Sequence, residues 1–453
     1  MKILRISTRS YSYRDFAHLF NGPVCVTLTK NSLHNLKQSH KRLLAKINTG
    51  ETIYGVNTGF GNLSNIKIDP KDQKDLQLNL VRSHASGVGN PLEPGLIRII
   101  FVLKLLTYVK GYSGIRPAVA EKIVQFLNND ILPVIPEKGS VGASGDLAPL
   151  GHMALALIGE GKVFYNGKEI TTKTALSKVN IKPLVLQQKE GLSLINGTQV
   201  STALAIKSLL DGDLLLKTAD IAGALSVENS FASRKVFQKK IHALKKHPGQ
   251  QSAARNVYKL LNGSKIVKSH SNCGIVQDPY SFRCIPHIHG ASRDGFTRAA
   301  NMIDNEINSV SDNPIVLENG DIVNSGHFHG EHVAQAMDFL AISFCELGAV
   351  SERRTHYFMK GVEGKFNLFV TKSPGVESGY MMAHVTASAL VSENKTLAHP
   401  ASVDSLPTSG GQEDLVSMAP WAGQKLLQIQ HNLRHVLAVE LLVAGAANQI
   451  ASP

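Results

Sequence analysis

The sequence predicts a mostly α fold organised around a bundle of long helices. Three observations carry that expectation. From about residue 70 onward, apolar residues recur at helical spacing. The second half of the chain holds several long, Ala- and Leu-rich stretches, and only one short segment reads as strand. With 453 residues, 43% of them hydrophobic, the chain is long enough for two or three domains or one large helical one.

Taken in order, residues 96–109 (LIRIIFVLKLLTYV) and 117–128 read as a helical pair around Gly111-Tyr112-Ser113-Gly114. Pro133 and Pro136 close that region and lead into a Gly/Ser-rich loop at 139–146. Residues 161–170 read as a β-hairpin turning at Asn166-Gly167. Residues 198–229 read as one long, mostly buried helix. In 333–354, Met337, Leu340, Ala341, Phe344 and Leu347 share one helical face. Residues 379–397 and 423–449 behave alike, the last through Leu426, Ile429, Leu433, Leu437 and Leu441. These stripes are core first and binding surface second. No internal repeat, heptad array or low-complexity tract interrupts them.

Lys+Arg exceed Asp+Glu by 48 − 35 = 13. The densest basic stretch, residues 239–247 (KKIHALKKH), lacks interleaved aromatics and any nucleic-acid-binding signature, so it reads as a solvated helix face. No nucleic-acid partner is expected, and the positive balance suits an anionic carboxylate substrate. Cys25, Cys273, Cys284 and Cys345 are too scattered for a disulfide framework, and no CxxC pair suggests zinc. No metal is expected. The N-terminus has no long apolar core, and no stretch reaches the roughly 18 uncharged apolar residues of a membrane span. A cytoplasmic protein without membrane contact is the expectation.

The chemistry concentrates in Gly139-Ser140-Val141-Gly142-Ala143-Ser144-Gly145-Asp146-Leu147-Ala148-Pro149-Leu150. At its centre, Ala143-Ser144-Gly145 offers one hydroxyl and much backbone freedom, which suits a loop whose main chain itself reacts. Attack of the Gly145 nitrogen on the Ala143 carbonyl, with loss of water, closes a five-membered ring. Loss of the Ser144 hydroxyl as a second water leaves an exocyclic methylidene. The product is a methylidene-imidazolone, an electrophile made with no external cofactor.

Companion motifs supply the rest of an elimination site. Tyr54 lies in Tyr54-Gly55-Val56-Asn57-Thr58-Gly59-Phe60-Gly61, a bent loop; a free tyrosine titrates near 10 and is a base near neutrality only where its phenolate is selectively stabilised. Arg283 lies in Gln277-Asp278-Pro279-Tyr280-Ser281-Phe282-Arg283-Cys284, and a guanidinium suits a bidentate grip on a carboxylate. Asn196, in EGLSLINGTQ, brings both a donor and an acceptor. Phe328 lies in SGHFHGE.

These runs resemble the signatures of the histidine and phenylalanine ammonia-lyase family, from about Tyr54 to Glu440. The resemblance implies a methylidene-imidazolone from Ala143, Ser144 and Gly145, with Tyr54 as β-proton base. It implies Tyr280 reaching into the site of a neighbouring subunit, Arg283 at the substrate carboxylate, Gln277 among the substrate-binding residues, Asn196 at the ring and carboxylate, and Phe328 packed over the ring. It also implies a homotetramer, with the ring-bearing loop in an N-terminal lobe (residues 1–200), a long-helix bundle (201–453), and an ammonia-lyase/fumarase-like architecture. Against that pattern, the second part is expected to lack the family's usual C-terminal segment.

Two places resemble the histidine branch. Ser83-His84 stands where relatives acting on tyrosine or phenylalanine carry His-Leu or Phe-Leu; a polar His84 left unpaired against a phenyl ring costs on the order of 1–3 kcal/mol. Gln412-Glu413-Asp414 stands where aromatic lyases resemble Asn-Gln-Asp, and Glu413 can accept from an imidazole N–H. The expected reaction is elimination of ammonia from L-histidine to give trans-urocanate. Ile285, His287 and His289 (CIPHIHG) replace Gln, Gln and Met of that branch, and HFHGEH at 327–332 replaces NFHAEP. A tyrosine or phenylalanine lyase, a 2,3-aminomutase and an inactive truncated paralogue stay open at this point.

Overall fold

In the computed structural model, which describes residues 3–269, 276–362 and 365–451, every residue after Pro94 in the helix Pro94–Tyr108 is buried. A helix apolar on all sides belongs inside a core. Pro94 and Pro117 start this helix and its packing partner Pro117–Asn128 at first-turn positions, where the missing N–H costs nothing. Arg98, on the buried helix, is held by a two-pronged ion pair to Asp130 (2.9 and 3.1 Å) and by the Leu19 carbonyl.

The chain divides into two compact units. The first comprises Met1–Lys207, Asn301–Ala336 and Ala401–Gln424; the second comprises Ser208–Ala300, Met337–Pro400 and Lys425–Pro453.

In the first unit the helices Gln73–His84, Leu147–Leu157 and Glu190–Ile195 pack on one another. The expected hairpin pairs Lys162–Tyr165 with Lys168–Thr171, and Asn166 (φ 50°) and Gly167 (φ 72°) form its two-residue turn. Two features of this unit lie ahead of the region read as helical. Ile3–Ile6 pairs in parallel with Cys25–Leu28. The helix Lys30–Asn48 then begins at Thr29, whose hydroxyl accepts the Ser32 N–H.

The expected long helices are present as Gln199–Asn229, Glu331–Met359, Met381–Leu397 and Ala419–Ala451. A further one, Ile285–Ile307, begins at the CIPHIHG departure. Within the second unit, Ala224, Val227, Phe237, Val257, Phe282 and Ile285 form one apolar cluster. Phe358, Phe366, Val370, Val443 and Ala447 contribute to another. Glu331–Met359 is long and apolar enough to cross a membrane by length and composition, yet 67% of its most apolar window is buried, as in a core helix. In the basic stretch only Lys239–His242 is helical; its lysines are exposed, while His242 is buried between the Val236 carbonyl and the Gln250 amide. Cys25, Cys284 and Cys345 are free thiols, and Cys273 lies outside the described residues.

Two buried ionic clusters order the second unit. The Arg354 guanidinium grips the Glu440 carboxylate, which also accepts from Ser226 (2.7 Å) and Ser351 (2.6 Å). His289, which replaces the histidine branch's Met, is buried with Nδ1 2.9 Å from Asp220; Arg293 pairs with the other Asp220 oxygen. Burial holds the His289 imidazole below its ordinary range. Arg354→Met leaves the Glu440 charge buried with two hydroxyls. The expected loss is about 3–5 kcal/mol of folding free energy, to be read as a lower midpoint in urea unfolding.

Candidate active site

The loop that carries Ala143-Ser144-Gly145 is tied down on two sides. Gly145 adopts φ +81°, and a Cβ there would stand 2.2 Å from the Gly197 carbonyl oxygen. Gly197 accepts from the Asp146 N–H (2.8 Å) and donates to the Ser144 carbonyl (3.4 Å), so the loop runs as a short parallel bridge against residue 197. On the other side, Met418 N–H donates to Val141 (2.8 Å) and the Ser417 hydroxyl to Gly142 (3.1 Å). Asp146 is buried and accepts from the Ser201 N–H (2.8 Å) and hydroxyl (2.5 Å). Burial pushes its carboxyl up to about 6, against the pull of those hydrogen bonds and of Lys104.

Ala143 and Ser144 open onto a cavity of about 790 Å³ within the first unit, also lined by Tyr54, His84, Asn196, Phe328 and Glu413. The Tyr54 oxygen accepts the Gly61 N–H (3.1 Å), and its ring meets Phe60 edge-on. His84 ends the helix Gln73–His84, with Nδ1 2.8 Å from the Leu80 carbonyl. A carbonyl cannot donate, so Nδ1 carries the proton and, in the neutral ring, Nε2 is an acceptor. Glu413 accepts from the Ser144 hydroxyl (3.2 Å) with one oxygen and from the Thr408 hydroxyl (2.7 Å) with the other.

Asn196 closes the helix Glu190–Ile195, and its amide donates to the Asn313 carbonyl (3.0 Å). Beneath it lies a buried polar network. Asp312 accepts from Ser193 (2.5 Å), Lys189 (3.3 Å) and the Asn313 N–H (2.7 Å). Lys104 donates to the Asn196 carbonyl (2.5 Å) and to Gln199 (3.3 Å). Burial brings the Lys104 ammonium down to about 7, with Asp312 pulling the other way.

Three expected residues do not line this cavity. Gln277, Tyr280 and Arg283 belong to the second unit. There Arg283 donates to Gln277 (2.9 Å) and stacks 4.6 Å from the Tyr280 ring; among the described residues its buried Nε has no hydrogen-bond partner. Tyr280 is 71% exposed. Among the described residues no group of His, Cys, Asp and Glu could hold a metal ion.

Residues 11–453 match the family model described as aromatic amino acid lyase. The chain belongs to the aromatic amino acid lyase family. It is 49% identical over 425 residues to the histidine ammonia-lyase of Burkholderia multivorans, covering 93% of this chain and 84% of that protein. The crystal structure of histidine ammonia-lyase from Trypanosoma cruzi is 34% identical with a TM-score of 0.89, covering 100% of this chain and 86% of that one. Tyrosine aminomutase from Streptomyces globisporus is 33% identical with a TM-score of 0.92, covering 100% and 89%. The fold is thus the mostly helical one of this lyase family.

The loop fits the methylidene-imidazolone ring characteristic of these lyases. Among the described residues, no hydrogen bond engages the Gly145 N–H or the Ala143 carbonyl, the two groups that ring closure joins. Gly145 admits no side chain. The sequence reading missed Thr408, Asp312 and Lys104. The signal for Lys104 is a lone cation inside the apolar run IIFVLKLLTYV, since an unpaired lysine is almost never fully buried.

The Asp146 carboxyl sits above its unfolded value of 3.8, so the folded state holds a proton that the unfolded chain has released. Its contribution to stability therefore falls as pH rises from about 4 to about 6, then levels off. The thermal midpoint of wild type minus that of Asp146→Asn is expected to shrink across that window; parallel curves would contradict the assignment.

Proposed function

We propose that this chain eliminates ammonia from L-histidine to give trans-urocanate, using Ala143-Ser144-Gly145 as the source of its electrophile. The observation that carries this reading is the pairing of two acceptors, His84 Nε2 and the Glu413 carboxylate, in the cavity that holds Ser144. An imidazolium donates an N–H to each, and a neutral imidazole to one of them, whereas a phenyl ring leaves both unpaired. The 49% identity to a histidine ammonia-lyase supports the same substrate.

When present in the chain, the methylidene-imidazolone supplies an electrophile that draws electrons from the substrate and makes departure of its amine feasible. The chain's own residues do the rest. Tyr54 takes the β-proton, and the Gly61 N–H fixes the position of its oxygen. His84 and Glu413 hold the imidazole so that the β-carbon faces Tyr54. The side chain of Asn196, with one N–H held by Asn313, keeps its second N–H as a donor for the substrate carboxylate or the ring. Phe328 closes an apolar wall over the ring.

Gln277, Tyr280 and Arg283 complete the cavity of a neighbouring copy in a homotetramer. Their position outside the cavity lining, the exposure of Tyr280 and an Arg283 Nε without a partner among the described residues support this arrangement. In that place Arg283 meets the substrate carboxylate with two parallel donors.

Purified protein and L-histidine are expected to produce urocanate, followed by its ultraviolet absorbance, and Ser144→Ala to abolish the signal. Product from tyrosine or phenylalanine but not histidine, or a β-amino acid product, would overturn the reading. Removing the His84 acceptor with His84→Leu, or weakening the Glu413 one with Glu413→Gln, is expected to lower kcat/KM for histidine roughly 10- to 100-fold, the equivalent of about 1–3 kcal/mol. Light scattering is expected to show a tetramer; an active monomer would contradict the shared site.

A further inference from the structure

Lys104 is fully buried on the helix Pro94–Tyr108, flanked by Leu103 and Leu105. A lysine in such a place needs partners for its donors. Its Nζ has two, the Asn196 carbonyl at 2.5 Å and Gln199 Oε1 at 3.3 Å, with the Tyr108 ring centroid 5.5 Å away. The first of these is the oxygen of the Asn196–Gly197 peptide. The N–H of that same peptide, on Gly197, donates to the Ser144 carbonyl at 3.4 Å. A donor on a peptide oxygen polarises the peptide and strengthens its N–H as a donor. Lys104 and Ser144 are therefore the two ends of a two-bond relay through one peptide group.

The Ser144 carbonyl is the group that ring closure turns into the ring's exocyclic oxygen, conjugated with the methylidene carbon. Electron density drawn toward that oxygen leaves the methylidene carbon more electrophilic, as donors aimed at a developing oxyanion do in acyl transfer. We propose that Lys104 sets the reactivity of the electrophile by polarising the Asn196–Gly197 peptide toward the Ser144 carbonyl. Lys104 touches neither substrate nor reacting carbon, so it is a positioning residue. The relay operates with the amine charged or neutral, because either form donates an N–H to Asn196. Asp312, Asp146 and Lys189 are the charged groups that act on it. This inference rests on the proposed conversion of Ala143-Ser144-Gly145.

The test compares wild type with Lys104→Met, which keeps most of the length of the side chain and removes the donor. Mass spectrometry first measures the fraction of each protein that has lost two waters. Cyanide, a small nucleophile that adds to a conjugated methylidene, is then used as the probe, and adduct formation is timed per dehydrated molecule. The expected result is a similar dehydrated fraction, an adduct rate lower by ~10-fold, and a matching fall in kcat with KM unchanged. An adduct rate within about twofold of wild type would overturn the proposal. So would a folded Lys104→Met that loses no water, since Lys104 would then act in ring closure and not in the reactivity of the closed ring. If Lys104→Met does not accumulate as folded protein, Lys104→Gln, which retains a weaker N–H donor, is read the same way and is expected to show a smaller loss of rate. Wild type that has lost no water would sink both this inference and the reading it rests on; dehydrated wild type with an unaltered variant sinks this one alone.

Discussion

Gly145 and Gly197 come so close that a single added methyl on Gly145 would stand 2.2 Å from a backbone oxygen. Much of the site depends on that approach. It requires positive φ at both positions, +81° and +117°, a conformation that side chains disfavour. It brings the Ser144 carbonyl under the Gly197 N–H and the Asp146 N–H against the Gly197 carbonyl. It also leaves the Gly145 nitrogen without a hydrogen bond among the described residues, where it is free to react. A loop held this tightly loses little entropy on closing a ring, because its conformation has already been fixed by folding.

The polar network beneath the cavity follows from the same need. A loop pinned by backbone contacts needs a rigid floor, and Asn196 and Asn313 are the part of that floor that lines the cavity. Burying Lys104, Lys189 and Asp312 is costly unless every charge finds partners. Lys189 and Ser193 converge on Asp312, while Lys104 spends its donors on Asn196 and Gln199. The result is a set of groups that cannot move singly, which suits a site that must hold an electrophile, a base and an imidazole in fixed relation.

The long helices were readable because their apolar stripes recur at 3.6-residue spacing, and the hairpin because Asn166-Gly167 admits few other turns. Lys30–Asn48 was harder. It is rich in Lys, His and Asn, and among its aliphatic side chains only Leu36 and Leu43 are buried, so its stripe is thin. Ile285–Ile307 carries two internal glycines, Gly290 and Gly295, that weaken a helical reading. The motif residues Tyr54, His84, Asn196, Phe328 and Glu413, far apart in the chain, meet Ser144 in one cavity. What the sequence hides are the partners defined only by folding. Thr408 steadies Glu413 across a five-residue loop, the Gly61 amide faces the Tyr54 oxygen, and Lys104 reaches a carbonyl 92 residues away. Backbone donors and acceptors carry no residue-type signature, so no motif could announce them.

The most direct measurement is the mass of the proteolytic fragment that contains residues 139–146 from the wild-type protein. The account predicts a fragment lighter by two waters than its sequence requires, with fragmentation placing the loss within Ala143-Ser144-Gly145. A fragment of unaltered mass from protein that makes urocanate would contradict the account at its centre, because the elimination would then proceed without the ring that this loop is built to form.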